Sequence, residues 1–380
     1  MVSIFICGDV INYEHETGEI CSPELAKIVM NSDYSVCNFE APISSSGTLQ
    51  PKSGPHHYQR VETIDGLRKQ GFDLLLLANN HIMDFGAEGL AATLAYAKKV
   101  GIDTLGAGLD ANSAYKPLIK EFGDIKIGMI NACEAQFGVI DHFERLEKAG
   151  YAWINHHKID KLILELKYNC DFIIVFSHAG LENYSIPQKE WRERYKYFCD
   201  LGADVIVGSH PHVPQGYERY AGSLIFYSLG NFYFDSKNYK YKEDHTFSII
   251  LKLEKDQQLD FQAVYHHKQD GKVQLSPPEK QVDLEKLNLL LEGEKYYSEH
   301  EKMSLKAYGK IKQNFIFSLA PIPYDGNIKS SVRRIVLRML GRSKKIDKDL
   351  LQLHLLRNEA YYFAAKNALE VIAKRKYEKT

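Results

Sequence analysis

The sequence predicts an α/β chain whose first half winds around a largely parallel sheet, with antiparallel strands and then a helical extension added behind it. Three observations predict this. Up to about residue 212, short apolar or β-branched runs alternate with helix-like segments. From about residue 213, strand-like runs follow one another across short turns. After LSPPEK, residues 275–280, strand signals give way to charged helical sequence.

Taken in order, VSIFICGD is a strand that leads through a loop into the helix SPELAKIVMNS, where Ser22 is placed to cap and Pro23 suits the first turn. YSVCNFE is the next strand. Residues 61–70 read as helix, FDLLLLANNH as strand, and AEGLAATLAYAKKVG as helix closed by Gly101. The four consecutive leucines suit a strand covered on both faces. IDTLGAG and IKIGMINA follow as strands, 158–168 as helix, CDFIIVFSHAG as strand, 187–201 as helix and ADVIVGSHPH as strand. Beyond these, GYERYAGSLIFYSLGNFYF, TFSIILKLEK and DFQAVYHHK carry the turns AGS and KDQQ, which suit antiparallel hairpins. A mixed sheet packed on a second sheet accommodates both textures.

The predicted division is a domain over 1–275 and a helical, basic extension over 281–380, with a break at APIPYDGN. The 380 residues carry 48 basic and 49 acidic side chains, a net charge of -1, which argues against a general nucleic-acid binder. Residues 329–380 hold 14 Lys or Arg against 5 Asp or Glu. Within them Val332, Ile335, Val336, Met339 and Leu340 recur at helical spacing between arginines, a pattern for docking onto the chain's own domain or for resting on an anionic membrane surface. Six cysteines without a CxxC pair read as reduced core residues. No basic leader and no apolar run of about 18 residues occurs, so the expected compartment is cytoplasmic, with membrane association left to the tail.

The polar ends of the strands carry the chemistry. Asp9 ends the first; Asn38 and Glu40 the second; Asn79, Asn80 and His81 the third; His178 ends FIIVFSH, and His210 and His212 follow DVIVGS. If these strands are neighbours, carboxylates, amides and imidazoles converge on one sheet edge, a ligand set for divalent transition metals. The proline between His210 and His212 stiffens a turn that can aim both rings at one site. The pairs His56 with His57, His156 with His157, and His266 with His267 lack the strand-end setting and are expected to be solvated.

In that order, GD, NFE, NNH, H and GSHPH resemble the bacterial CapA family, named for poly-γ-glutamate capsule synthesis and distantly related to calcineurin-like metallophosphoesterases. NFEAPI, LLANNHIMDFG, SHAGLE, GADVIVGSHPHVPQG and IFYSLGNFYF are similar to its signature blocks over roughly residues 1–250. The resemblance implies a four-layer αββα sandwich of the metallophosphoesterase type, here with a helical C-terminal extension. It implies two divalent metals, Mn, Fe or Zn, with Asp9 and His212 on the first, Asn80, His178 and His210 on the second, and Glu40 bridging. His81 would protonate the leaving group, with Asn79 and Asp84 orienting it. Asn38, Glu182, Asn231 and Arg60 are the candidates on the substrate side. Lys52, Lys237 and Lys240 are further cations on the loops 44–60 and 233–243, which with 134–157 are available to line the pocket. Two departures from the wider phosphoesterase pattern stand out: Ile11 where a metal-binding histidine would be, and NFE in place of the bridging aspartate motif.

The implied activity is metal-dependent hydrolysis, read as phosphatase action on a phosphorylated small-molecule or glycan precursor of a surface polysaccharide or related polymer. The alternatives are an amide hydrolase of a γ-glutamyl polymer, or a non-catalytic subunit of an assembly complex that touches lipid or a partner protein through the basic tail.

Overall fold

The computed structural model describes residues 1–43, 47–235, 244–319, 332 and 347–378. Its strands are β1 (Val2–Ile11), β2 (Tyr34–Phe39), β3 (Leu74–Leu76), β4 (Asp103–Leu105), β5 (Ala107–Gly108), β6 (Leu118–Phe122), β7 (Ile125–Cys133), β8 (Val139–Ile140) and β9 (Gly150–Ala152). They continue with β10 (Phe172–His178), β11 (Val205–Ser209), β12 (Tyr217–Tyr220), β13 (Ser223–Phe226), β14 (Asn231–Phe234), β15 (Thr246–Leu253), β16 (Asp260–Gln269) and β17 (Lys272–Leu275).

Two large sheets form. One runs β17-β16-β15-β1-β2-β3-β4 with β14 also paired to β1, and the other runs β12-β13-β11-β10-β7-β6. Strands β1 to β4 pair in parallel, as do β7, β10, β11 and β13. The short β5, β9 and β8 make a third sheet.

The period-2 alternation of side chains sorts these strands into layers. Ile4 and Ile6 of β1 join Ile174 and Phe176 of β10 in a core between the large sheets. The alternate residues Phe5 and Cys7 pack against Leu25, Val29, Ile64, Leu67 and Leu90, which come from the helices Pro23–Met30, Glu62–Lys69 and Gly86–Val100. On the far side, Ile173 and Val175 pack against Ile159 and Ile163 of the helix His157–Lys167 and against Trp191, Tyr195 and Phe198 of Lys189–Leu201. Helix, sheet, sheet and helix are therefore stacked as four layers, the predicted αββα sandwich.

The predicted parallel half and the hairpins at AGS and KDQQ are present, as β12–β13 and β15–β16. The region after residue 213 is not one meander, however. β12 and β13 extend the second sheet, whereas β14 lies parallel to β1 and β15 to β17 extend the first. Gly8 makes that arrangement feasible: a Cβ there would sit 1.8 Å from the carbonyl oxygen of Gly230, and the next residue, Asp9, donates its N–H to that oxygen at 3.2 Å.

Beyond the strands come the helices Leu284–Leu289, Gly293–Leu319, Lys348–Arg357 and Glu359–Tyr377. Tyr296, Met303, Ala307, Ala360 and Ala364 enter the same core as Trp191 and Tyr195, so the helices Gly293–Leu319 and Glu359–Tyr377 pack on the outer layer of the sandwich, whereas Leu284 joins the core between the sheets. The amphipathic stretch at 330–345 lies outside the described residues except for Val332, which is exposed. All six cysteines are free thiols, five of them buried. Among the described residues, no helix is long and apolar enough to cross a membrane.

Candidate metal centre

The parallel strands of both sheets end at one edge, and the polar residues converge there. Asp9 sits at the register shift near the end of β1, opposite Asn38 of β2 and Asn231 of β14. Glu40 follows β2; Asn79 to Asp84 occupy turns after β3; His178 closes β10; His210 and His212 follow β11. His210 and His212 adopt φ of 94° and 59°, a left-handed backbone that non-glycine residues rarely take. Proline alone does not aim those rings, and this strained turn does.

The distances define the cluster. One ligand atom each from Glu40, His178 and His210 lies within 4.8 Å of the others, and the same holds for Asp9, Glu40 and His212, so Glu40 belongs to both sets. The amide oxygen of Asn80 is 3.1 Å from His178 Nε2. Glu182 forms a third set with His210 and His212 and is itself exposed, at the open side of the cluster.

Hydrogen bonds behind these groups orient them. Asn38 Nδ2 donates to Asp9 Oδ1 at 2.8 Å, and Ser209 Oγ lies 3.0 Å from His178 Nδ1, which leaves His178 Nε2 toward Asn80 and Glu40. His212 Nδ1 is 3.0 Å from Asn231 Oδ1 and 3.2 Å from Asp9 Oδ2, which leaves its Nε2 toward Glu40 Oε1 at 3.8 Å. Asn38 and Asn231 are each 1% exposed and contact Asp9 and His212, the side chains that the resemblance places on the first metal. Arg60 pairs with Glu62 at 3.5 Å, and among the described residues no contact joins it to the cluster.

Electrostatics show what the site lacks. Glu40 is fully buried, yet neither of its carboxylate oxygens has a hydrogen-bond partner, nor has His210 Nδ1. Burial, then the neighbouring charge of Asp9, pushes the Glu40 carboxyl well above the usual carboxylate range. Burial also lowers His178 strongly and takes His210 down to about 3, so both rings present neutral lone pairs. Buried carboxyl oxygens without partners, facing neutral imidazoles, are what a divalent cation satisfies. The residues present fit such an ion.

Beside the cluster, His81 Nδ1 lies 2.7 Å from Asp84 Oδ2 and the His81 main-chain N–H donates to Asn79 Oδ1 at 3.2 Å. Asn79 Nδ2 in turn donates to the Phe39 carbonyl at 2.9 Å, tying this turn to β2. Burial drives His81 well below the ordinary histidine range, helped by the nearby Lys52 ammonium. Lys52 is no solvated loop lysine: its side chain is 4% exposed, it is ion-paired to Asp84, and its Nζ is 3.2 Å from His81 Nδ1. Lys237 and Lys240 lie outside the described residues.

Of the histidine pairs expected in solvent, His157 is exposed and His56 half-buried, while the other four depart from that expectation. His57 is largely covered because its main-chain N–H donates to Asp84 Oδ2 at 2.7 Å, which lays its ring edgewise on His81 with centroids 4.3 Å apart. His156 is buried as a helix cap, and His266 is buried in β16 between Thr246 Oγ1 at 3.1 Å and Ser248 Oγ at 2.8 Å. His267 is also buried.

Two residues of the site escaped the sequence reading. Glu134, fully buried, accepts from Gly180 N at 3.0 Å and from Gln136 Nε2 at 2.8 Å, and its Oε1 is 3.6 Å from His210 Nε2. Gln136 Oε1 also faces Asn80 Nδ2 at 3.4 Å. Glu134 directly follows β7, so the strand-end signal that marks the other candidates was present in NACEAQ.

Fold and cluster together define a four-layer α/β protein with a carboxylate–imidazole centre able to hold a divalent cation. The chain belongs to the bacterial capsule synthesis protein PGA_cap family, whose pattern matches residues 4–236. It is 32% identical over 212 residues to the capsule biosynthesis protein CapA of Bacillus anthracis, covering 54% of this chain and 51% of that one. It is 33% identical over 208 residues to the PGA biosynthesis protein CapA of Bacillus subtilis, covering 54% of each. The chain thus spans about half the length of these relatives. A 5'-nucleotidase from Candida albicans is among the similar solved structures, at 13% identity and a TM-score of 0.42 over 76% of this chain and 57% of that one.

Proposed function

We propose that this protein is a metal-dependent phosphoric ester hydrolase acting on a phosphorylated precursor in the synthesis of a capsule, poly-γ-glutamate or related surface polymer. Membership of the capsule synthesis family supports the setting. The observation that carries the hydrolytic reading is the His81–Asp84 pair standing beside the unpartnered Glu40 carboxylate. A site that only held a metal for structure would need no such imidazole.

Divalent cations, two in this reading and of the Mn, Fe or Zn type, would be held by Asp9, Glu40, Asn80, His178, His210 and His212, and would supply Lewis-acid polarisation of a phosphoryl group and an acidified water. The remaining steps belong to the chain itself. Asp84 accepts from His81 Nδ1–H, which fixes the tautomer and leaves Nε2 to carry a proton to the departing alkoxide. Burial keeps that ring neutral in the free protein, and the negative charge of a bound phosphate opposes this by favouring the imidazolium. Asn79 holds the turn, while Glu134 and Gln136 steady His210 and Asn80 from behind. Glu182, exposed beside His210 and His212, is the polar group left to meet substrate. The basic segment 329–380 is proposed to contact a membrane surface or a protein partner.

The test is phosphate release from sugar, polyol and nucleotide phosphates by chelator-stripped protein, with Mn, Zn, Fe(II) or no metal restored. Metal-dependent release that falls by about 10²-fold or more in His81→Ala, with metal content retained, supports the reading. No release despite stoichiometric metal overturns it and moves the weight to amide hydrolysis or to a non-catalytic role in polymer assembly.

A further inference from the structure

Away from the strand ends, a second set of imidazoles converges. His142 follows β8, while His156 caps and His157 opens the helix His157–Lys167. Ring centroids lie 4.1 Å apart for His142–His156, 4.4 Å for His156–His157 and 4.9 Å for His142–His157. One ligand nitrogen from each falls within 4.8 Å of the other two, and the Nδ1 atoms of His142 and His157 are 3.1 Å apart.

We propose that His142, His156 and His157 form a second metal site, for a transition-metal dication such as Zn²⁺, sharing no residue with the strand-end centre. Two nitrogens on a tetrahedral ion at its usual bond length stand about 3.3 Å apart, so His142 and His157 already have the required spacing. The third ring needs only a modest rotation. Imidazole ligands without a carboxylate select zinc, copper or nickel over magnesium and calcium. His142 and His157 are exposed and His156 is buried, so an ion enters from solvent and keeps a position open to water.

Asp141 and Asp160 lend negative charge that opposes Lys158 and Lys161 around the trio. One local bond is exchanged. His156 Nδ1 accepts the main-chain N–H of Lys158 at 3.0 Å, and ligation forfeits this cap or forces the other tautomer. A single hydrogen bond is a small loss beside three metal–nitrogen bonds. Since His142 and His157 are 15 positions apart, the ion would pin the loop after β8 to the start of a helix.

The experiment is Zn²⁺ titration by calorimetry, with metal counting after gel filtration, on the full-length wild type, His142→Ala/His157→Ala and His210→Ala. The double variant is expected to bind one equivalent fewer than wild type while keeping any phosphatase activity, and His210→Ala is expected to retain the equivalent that the double variant loses. Equal stoichiometry in wild type and double variant overturns the site, whatever the outcome for hydrolysis. If the double variant misfolds by circular dichroism, His142→Gln alone decides: Zn²⁺ affinity at this step falls at least about 10-fold, and unchanged affinity overturns the proposal.

Discussion

Glu359 Oε2 lies 2.6 Å from the main-chain nitrogen of Ala135, joining residues 224 positions apart. The same carboxylate accepts from Trp153 Nε1 at 3.0 Å and from Asn155 Nδ2 at 2.8 Å. Ala135 lies between Glu134 and Gln136, so a helix outside the matched family region fastens the loop that steadies His210 and Asn80. Nearby, the rings of Phe137 and His354 stack with centroids 5.7 Å apart, a second contact between that loop and the C-terminal helices.

Glu359→Ala therefore leaves three donors without their acceptor. Charge-assisted hydrogen bonds of this kind are worth about 1.5 to 3 kcal/mol each at most, and water recovers part of that, so the expected loss is about 2 to 4 kcal/mol in urea unfolding. Weaker metal retention should accompany it, because the Glu134 loop loosens. A variant with unchanged stability would mean that the helix is held by its apolar contacts alone.

Asp84 joins three groups, and its removal separates two roles. Its oxygens meet Lys52, the His57 N–H and His81 Nδ1. Asp84→Asn strands the buried Lys52 ammonium, which should cost about 3 to 5 kcal/mol. Asp84→Asn/Lys52→Met should recover much of that stability but none of the lost turnover, since the tautomer of His81 remains unfixed. A double-mutant cycle in thermal unfolding, run beside steady-state kinetics, separates the two effects.

Gly8 connects backbone to chemistry. Gly8→Ala places a methyl 1.8 Å from the Gly230 carbonyl, so β1 and β14 must part just where Asp9 pairs with Asn231. Expected are a loss of more than about 2 kcal/mol and a metal content well below wild type after dialysis. A folded variant with full metal content would show that Asp9 tolerates displacement of its strand.

The share of this architecture legible in the sequence follows the range of the interactions involved. Asp9, Glu40, Asn80, His178 and His210 could be read because each stands at the end of an apolar run, a local signal that a parallel sheet turns into convergence. Glu134 has the same setting but no neighbouring histidine or amide pair to set it apart. His57 and Lys52 could not be read locally: their burial comes from Asp84, 27 and 32 positions away. The pairing of β14 with β1 depends on Gly8 meeting Gly230 across the whole domain, whereas the hairpins around it advertise themselves by their turns. The strained backbone at His210 and His212 carries no composition signal beyond the intervening proline.

Acid should destabilise this protein through buried histidines that are not among the candidate metal ligands. His266, wholly buried in β16, is pushed down to about 3 by burial, and His300, on the helix Gly293–Leu319, to about 4 by burial and then by Lys189. Both lie below the ordinary 6.5, so between 6.5 and those values the unfolded chain binds more protons than the folded one. Their contribution is complete above 6.5 and is lost progressively as pH falls. Stability measured by urea unfolding should therefore rise from pH 4.5 to pH 7, by about one proton's worth of slope per buried histidine. His300→Leu removes a ring whose Nε2 has no partner, so this variant should show a shallower rise and lose nothing at pH 7. An identical slope in wild type and variant would mean that His300 titrates alike in the folded and unfolded states.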